Sequence, residues 1–284
     1  MTMRGTSLPS IRLLIADIDG TLLTPSRKLT ECSRQAICRL QTAGIGFTLA
    51  SARPPLGMRA FVESLRITNP FVAFNGGMLV NPDFSVLEEH VFRPEVAASV
   101  VAFVEDCGLD AWVYRGTGWL VRRRHGPWAD FEARAVQFAP TVVASFESAL
   151  DRVVKVMAVS DNPGAAARCE AGIRSRFGGE ISVARSWTHF LDVTHPAANK
   201  GAAVRRLSDL LKVPTEEIAT IGDMPTDTHM FAESGLSIAM GNASQEVRRA
   251  ARRVTSTNEE EGFASAVECY VLGDCGFNDE VRHA

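Results

Sequence analysis

The segment Ile11-Arg-Leu-Leu-Ile-Ala16, followed by Asp17-Ile-Asp19-Gly-Thr21, gives the first strong indication of the fold. The apolar run is short and stops abruptly at a charged residue, which predicts a strand buried on both faces of a parallel sheet. Thr30 then offers an N-cap for a helix, and residues 46–50 and 71–74 form two further apolar runs. This alternation of strands and helices predicts a doubly wound α/β domain.

The pattern changes after about residue 78 and returns at Lys200. Short runs of alternating polarity, turn residues and apolar helices predict an α+β unit of roughly 100 residues in between. From Lys200 onward, helices again alternate with apolar strands that stop at Gly222-Asp223 and Met240-Gly-Asn242. We therefore expect a doubly wound, Rossmann-like parallel-sheet core built from residues 1–90 and 191–284, with residues 91–190 inserted as an α+β domain.

Composition excludes several functional classes. The chain has 284 residues and a net charge of −3, whereas a dedicated nucleic-acid binder usually carries a strong basic excess. No apolar run reaches 18 residues, so no membrane partner is expected. The first ten residues lack the apolar segment of a secretory signal. We expect a cytoplasmic protein whose six cysteines are reduced.

Polar side chains follow the predicted strands, at the sheet edge where open α/β folds bind ligands. Acidic groups that converge there repel each other, which raises at least one pKa unless a cation is bound. Magnesium suits a site with few protein carboxylates, because substrate phosphate oxygens complete its octahedron. The residues collected in this way are Asp17, Asp19, Ser51, Asn75, Asp223, Asp227 and Asn242.

Two of these positions carry a more specific indication. Gly20 permits a turn that lets Asp17 and Asp19 face one cleft, one as nucleophile and one as acid/base. The alternative is a simple Asp-Gly turn at the end of a strand. Lys200 stands at a helix start, where a cation opposes the helix dipole and an anion such as phosphate would offset that cost. The alternative there is a solvent-exposed lysine.

Taken in order, these motifs resemble those of the haloacid dehalogenase superfamily of phosphatases, and within it the Cof-like subgroup with a large cap domain. The resemblance covers nearly the whole chain. The four motifs are Asp17-Ile-Asp19-Gly-Thr-Leu-Leu23, Leu49-Ala-Ser51-Ala-Arg53, Asn199-Lys200-Gly201 and Gly222-Asp223-Met-Pro-Thr-Asp227. The turns at Asn75-Gly76 and Met240-Gly-Asn242-Ala243, and Thr257-Asn-Glu-Glu-Glu-Gly262, also match the subgroup.

The resemblance implies a role for each matching residue. Asp17 would take the phosphoryl group, while Asp19 would protonate the leaving oxygen and then activate water. Mg²⁺ would sit on Asp17, the Asp19 carbonyl and Asp223. Asp227 would stand behind the metal ligands and hold Lys200 or a metal-bound water. Phosphate would be held by Ser51 and backbone N–H groups, in a set comprising Ile18, Ser51, Ala52, Lys200 and Thr226, with Asn75 and Asn242 as further supporting residues.

The chain departs from the subgroup pattern at two positions. Thr226 stands where the subgroup usually has Asn, and its shorter hydroxyl predicts weaker phosphate binding in the ground state without loss of the chemistry. Ala52 stands where Gly is usual, and it would be strained if that position required a positive φ.

These features predict a Mg²⁺-dependent phosphatase that acts on a small phosphorylated metabolite, a sugar phosphate or a phosphorylated cofactor. The resemblance also implies that the inserted domain chooses the substrate. One alternative is a phosphomutase. Another is a non-enzymatic aspartyl-phosphate switch or a binding protein, although a general acid at Asp19 suits turnover better than storage of the phosphoryl group.

Overall fold

The computed structural model describes residues 10–123 and 127–274, which divide into two compact units. The first unit contains the described residues up to Ala50, the short segment Ile67–Asn69 and the described residues from Lys200 onward. The second contains Ser51–Arg66 and Pro70–Asn199. Among the described residues, no helix combines the length and apolar character needed to cross a bilayer.

The described chain contains fourteen strands and nine α-helices. The strands are β1 Leu13–Ala16, β2 Gly46–Leu49, β3 Phe71–Ala73, β4 Met78–Val80, β5 Val86–Glu89, β6 Asp110–Arg115, β7 Gly118–Val121, β8 Thr141–Val142, β9 Val153–Val159, β10 Ser182–Trp187, β11 Phe190–Thr194, β12 Ile218–Gly222, β13 Leu236–Ala239 and β14 Arg253–Val254. The helices are α1 Glu31–Thr42, α2 Arg59–Ser64, α3 Pro94–Asp106, α4 Pro127–Val136, α5 Pro163–Phe177, α6 Lys200–Leu211, α7 Thr228–Glu233, α8 Gln245–Ala250 and α9 Gly262–Ala266.

The first unit is built on a five-stranded parallel sheet with the strand order β14-β13-β12-β1-β2. Every residue of β1, β12 and β13 is buried, as expected for strands covered on both faces. Thr30 caps α1, since its hydroxyl oxygen accepts a hydrogen bond from the Ser33 N–H at 3.1 Å. The predicted α/β core with a parallel sheet is therefore confirmed.

The third predicted strand, at residues 71–74, does not join the parallel sheet. β3 pairs antiparallel with β4, which in turn pairs with β5, in a separate three-stranded sheet. Phe74, Asn75 and Gly76 all have positive φ, so the chain reverses at once after β3. A tight reversal places the next strand beside β3 in the antiparallel sense, whereas a parallel neighbour needs a long crossover.

A six-stranded sheet with the order β10-β11-β9-β6-β7-β8 dominates the second unit. Its strands are antiparallel except for the parallel pair β7 and β8. One face of the sheet is apolar and packs in a common core with α3 and α5; it presents Ala111, Val113, Val156, Ala158, Leu191 and Val193. The opposite face is aromatic and charged; it presents Trp112, Tyr114, Trp119, Lys155 and Asp192.

The sulfur chemistry differs from expectation at one residue. Cys32, Cys38, Cys107 and Cys169 have free thiols, but Cys269 is disulfide-bonded, so the prediction of reduced cysteines is wrong there. Burial, together with the neighbouring Cys107 thiol, raises the pKa of Cys169 to about 12. The Cys169 thiol is therefore protonated at neutral pH.

Candidate active site

Asp17 lies directly beyond the end of β1, in the first unit. Its N–H continues the parallel ladder by donating to the Ile221 carbonyl at 3.0 Å. The chain then turns tightly, because the Ile18 carbonyl accepts hydrogen bonds from the N–H groups of the three residues 21–23. Gly20 makes this turn possible with a φ of +87°, and a Cβ at that position would overlap the Asp223 carboxylate. The turn leaves the Asp17 side chain buried and the Asp19 side chain exposed.

Lys200, the first residue of α6, is buried between two carboxylates. Its ammonium donates to Asp17 Oδ1 at 2.6 Å and to Asp227 Oδ1 at 2.5 Å. Burial alone would lower the pKa of Lys200, but the negative charges of Asp17 and Asp227 outweigh it and raise the pKa above its ordinary value. These ion pairs offset the unfavourable position of a cation at a helix N-terminus.

Asp227 is held from behind by the backbone that follows β12. Its Oδ2 accepts hydrogen bonds from the N–H groups of Asp223 at 2.9 Å and Met224 at 2.8 Å. A Cβ at Gly222 would overlap the Asp227 side chain, so the close approach requires glycine. Both carboxylate oxygens of Asp227 are therefore engaged, one by the ammonium of Lys200 and one by the backbone.

Asp223 completes the acidic group. Thr21 donates from its hydroxyl to Asp223 Oδ1 at 2.8 Å. Burial raises the pKa of Asp223 to about 7, with the negative charge of Asp227 adding to the effect. Burial also raises the pKa of Asp17 well above its usual range, despite the opposing attraction of Lys200. The carboxylates are thus crowded in a place where their charge is poorly solvated.

The residues present fit a divalent metal ion. Oxygen atoms of Asp17, Asp223 and Asp227 lie within 4.8 Å of one another. Hydrogen bonds engage both oxygens of Asp227 but only Oδ1 of Asp17 and of Asp223, so Asp17 and Asp223 are the better candidates for metal ligands. A hard cation with oxygen ligands would relieve the repulsion that burial creates.

Asn242 braces the loop that follows β1. Its side-chain amide donates to the Gly20 carbonyl at 2.9 Å, and its Oδ1 accepts from the Asn258 N–H at 3.0 Å. Asn258 in turn donates from its side chain to the Leu23 carbonyl at 2.7 Å. Neither Thr21 nor Asn258 was singled out from the sequence, although both fall inside quoted motifs. Their position in those motifs was the available signal.

The structure settles one of the two departures from the subgroup pattern and gives the place of the other. Ala52 does not have a positive φ, so the concern about backbone strain at that position is removed. Thr226 is half-buried in the 3₁₀ turn Pro225–Asp227, next to Asp227.

The second unit contains Ser51, Ala52 and Asn75. The Ser51 N–H donates to the Val72 carbonyl at 3.0 Å, and the Ser51 hydroxyl oxygen accepts from the Arg53 N–H at 3.2 Å. The Asn75 N–H donates to the Ser51 carbonyl at 2.8 Å. The buried Oδ1 of Asn75 accepts no hydrogen bond from the described part of the chain. Ser51 and Asn75 therefore lie in direct backbone contact.

Sequence reasoning missed a group of buried polar side chains in the second unit. These are Tyr114 on β6, Glu132 on α4, Lys155 on β9 and Asp192 on β11, each no more than 9% exposed. The signal was available at Lys155, because a charged residue interrupts the apolar strand Val153–Val159. A buried charge of this kind needs a partner.

The matches to known proteins extend over most of the chain. The family model of haloacid dehalogenase-like hydrolases matches residues 14–267. A Haemophilus influenzae protein provisionally named a phosphatase is 30% identical over 258 residues, which cover 90% of this chain and 97% of that protein. The HMP-PP phosphatase of Cronobacter sakazakii is 28% identical over 235 residues, or 82% of this chain and 85% of that enzyme.

A solved structure shows the same architecture. The crystal structure of a haloacid dehalogenase-like hydrolase from Bacteroides thetaiotaomicron matches with a TM-score of 0.84 and 28% identity, covering 91% of this chain and 99% of that one. The chain belongs to the haloacid dehalogenase-like hydrolases, and it is a phosphatase of that family.

Proposed function

We propose that this protein is a Mg²⁺-dependent phosphatase that hydrolyses a small phosphorylated metabolite through an aspartyl-phosphate on Asp17. The observation that carries the proposal is the buried ammonium of Lys200, which donates to Asp17 and Asp227 beside the Asp223 carboxylate. A phosphate monoester dianion is repelled by an anionic nucleophile, so attack by Asp17 requires positive charge at this place.

Each residue of the first unit has a role in this reaction. Asp17 attacks phosphorus, and its side chain is kept in one orientation by Lys200. Asp19, whose side chain is exposed, gives a proton to the leaving oxygen and later takes one from the attacking water. Forming and then hydrolysing the aspartyl-phosphate divides one difficult step into two. Lys200 neutralises phosphate charge, and Thr226 offers its hydroxyl to a phosphate oxygen.

The metal proposed is magnesium, with the Asp17 and Asp223 carboxylates and the Asp19 carbonyl as protein ligands. When bound, it supplies positive charge to the phosphate oxygens and to Asp17. Asp227 acts through its neighbours, because it orients Lys200 with one oxygen and the backbone at Asp223 with the other. Asn242 supports the same loop through the Gly20 carbonyl.

In the second unit, we propose that Ser51 and the backbone N–H groups near Ala52 hold phosphate oxygens, with Asn75 supporting Ser51. We also propose that residues 91–190 form the cap domain that chooses the substrate. The similarity to an HMP-PP phosphatase supports a small phosphorylated molecule as the substrate. We therefore favour a sugar phosphate or a phosphorylated cofactor.

Phosphate release from a panel of phosphorylated metabolites, with and without Mg²⁺, tests the proposal. The variant Asp17→Asn should lower kcat by about a thousandfold or more, because it removes the nucleophile. Asp209→Asn is the matched control, since it makes the same change at an exposed residue of α6. Release that persists without Mg²⁺ or in Asp17→Asn would contradict the mechanism. Isomerised sugar phosphate among the products would indicate a phosphomutase instead.

A further inference from the structure

The aromatic face of the six-stranded sheet and helix α4 contribute a group of buried polar side chains, which we call the Lys155 cluster: Tyr114, Glu132, Lys155 and Asp192. In the strand register, Lys155 lies opposite Tyr114 of β6 and opposite Thr194 of β11, so these side chains share one face. Lys155 is 2% exposed and Asp192 is 3% exposed. Two carboxylates and one ammonium are thus enclosed where ions are poorly solvated.

The polar contacts inside the Lys155 cluster are long. The ammonium of Lys155 lies 3.4 Å from Asp192 Oδ1 and 3.4 Å from the Ala52 carbonyl oxygen. It also lies 4.4 Å from the centre of the Tyr114 ring, and the Tyr114 hydroxyl donates to Glu132 Oε1 at 3.3 Å. The distance from the ammonium to the ring is ordinary for a cation–π contact. The three polar distances, by contrast, exceed the 2.7–2.9 Å that is usual for charge-assisted hydrogen bonds, so the oxygen atoms of the cluster are weakly hydrogen-bonded.

One atom of the cluster lacks a hydrogen bond altogether. Asp192 Oδ1 is buried and accepts no hydrogen bond from any residue that the structure describes. Its contact with Lys155 is an ion pair without hydrogen-bond geometry. A buried carboxylate oxygen in this condition is costly, and the cost is removed by a donor that reaches it.

The Lys155 cluster is tied to the segment that we propose to hold phosphate. Lys155 contacts the carbonyl of Ala52, the residue after Ser51. Arg53 donates to the Ala135 carbonyl at 2.9 Å, on the same helix that carries Glu132. A molecule whose phosphate lies at Ser51 and Ala52 therefore has the Lys155 cluster close to the rest of its structure.

We infer that Asp192, supported by Lys155, is the specificity residue that accepts a hydrogen bond from a hydroxyl or amino group of the substrate's leaving group. This inference rests on the proposed function. The cluster carries two acceptor carboxylates and an aromatic wall of Tyr114 and Trp119, which stack with their ring centres 5.9 Å apart. A site built to accept a hydrogen bond discriminates against an analogue that lacks the donor, because the buried acceptor is left unpaired.

The test compares substrates with and without a donor on the leaving group. Ribose 5-phosphate carries hydroxyls, 2-aminoethyl phosphate carries an amine, and p-nitrophenyl phosphate carries neither. Asp192→Asn should lower kcat/KM about tenfold to a hundredfold for a donor-bearing substrate and less than about threefold for p-nitrophenyl phosphate. Selective loss with ribose 5-phosphate identifies a hydroxyl, and selective loss with 2-aminoethyl phosphate identifies an amine. Asp151→Asn, at an exposed aspartate of the second unit, is the matched control.

An equal loss with all three substrates, or no loss with any, would overturn the inference. If Asp192→Asn does not fold, the double variant Lys155→Met/Asp192→Leu replaces it, because exchanging a buried ion pair for apolar side chains usually preserves stability. The double variant should show the same selective loss. If the wild type hydrolyses none of the compounds, the proposed function fails. Calorimetric binding to the wild type and to Asp192→Asn then decides the inference. The substitution must weaken the binding of only those compounds that carry a donor.

Discussion

Each unit of the molecule buries one lysine in contact with aspartate, and the two arrangements differ in how closely the charges meet. Lys200 contacts Asp17 and Asp227 at 2.6 and 2.5 Å, and the far oxygen of Asp227 is held by two backbone N–H groups. Lys155 lies 3.4 Å from Asp192, whose Oδ1 accepts no hydrogen bond within the described chain. The contacts between lysine and aspartate are therefore short in the first unit and long in the second.

The difference shows what each group of charges is suited to do. A buried ion pair stabilises a fold only when its geometry is good and its remaining oxygens are hydrogen-bonded. Asp227 meets this condition, so Lys200 is held rigidly and can direct Asp17, which suits a catalytic site. Asp192 does not meet it, which suits a place where a ligand provides the missing hydrogen bond.

The largest difference in stability between the two units should come from replacing each buried lysine. Lys200→Met leaves Asp17 and Asp227 unpaired in a buried site and should cost about 3–5 kcal/mol of the free energy of unfolding. Lys155→Met should cost less, about 1–2 kcal/mol, because weaker contacts are lost. All four tryptophans fall between residues 112 and 187, so denaturant unfolding followed by fluorescence reports the second unit and far-UV circular dichroism reports both. Equal costs would contradict the comparison.

Replacing an aspartate partner should also cost more stability for Lys200 than for Lys155. In Asp227→Asn the side chain loses the charge that holds Lys200, and its NH₂ group must face either the Lys200 ammonium or the N–H groups of Asp223 and Met224, none of which it can accept from. We expect a loss of about 3 kcal/mol in the free energy of unfolding. Asp192→Asn should cost only about 1 kcal/mol, because Oδ1 accepts no hydrogen bond to lose. A larger cost for Asp192→Asn would show that its ion pair with Lys155 is structural.

A smaller effect, on KM, is expected from substitution of Thr226, which precedes the Lys200 partner Asp227. Asn at this position would offer an amide donor with a longer reach than the threonine hydroxyl. Thr226→Asn should therefore lower KM about threefold to tenfold, with little change in kcat, since one added hydrogen bond to phosphate strengthens ground-state binding. Steady-state kinetics on the best substrate measure both constants. An unchanged KM would contradict the role given to Thr226.

The smallest expected effect is the pH dependence of stability that arises from Glu132 in the Lys155 cluster. Burial raises the pKa of Glu132 above its usual range, although Lys155 opposes the shift. Above the ordinary glutamate pKa of about 4.3, the unfolded chain has released this proton while the folded chain still holds it, so stability falls as pH rises towards the folded pKa. Glu132→Gln cannot titrate and should escape this loss.

Thermal unfolding across a pH series checks this expectation. The melting temperature of Glu132→Gln, measured relative to the wild type, should rise as the pH increases above the ordinary glutamate pKa of about 4.3. Glu147→Gln, the same change at an exposed residue of the second unit, provides the control. A difference that falls with rising pH would mean that the Glu132 carboxylate is stabilised by its neighbours rather than destabilised by burial.

Much of the fold could be predicted because short apolar runs that end in polar residues leave few alternatives. Residues 13–16 and 218–222 had to be buried strands, and parallel strands bring Asp17 and Asp223 to one edge of the sheet. The pairing of β3 could not be predicted, since its apolar residues suit either sheet. Its partner was decided by the reversal at Phe74, Asn75 and Gly76.

The sequence alone determined which residues could form the acidic group, because the motif spacing places carboxylates directly after strands. The presence of Lys200 beside Asp17 was also indicated by the cost of a cation at a helix start. How strongly each lysine is held depends on contacts between residues that are far apart in the sequence. Lys155 is separated from Asp192 by 37 positions and from Ala52 by 103, so only the folding of β9, β11 and the segment after β2 determines these distances. Such distances decide whether a buried charge is satisfied by the protein or requires a ligand.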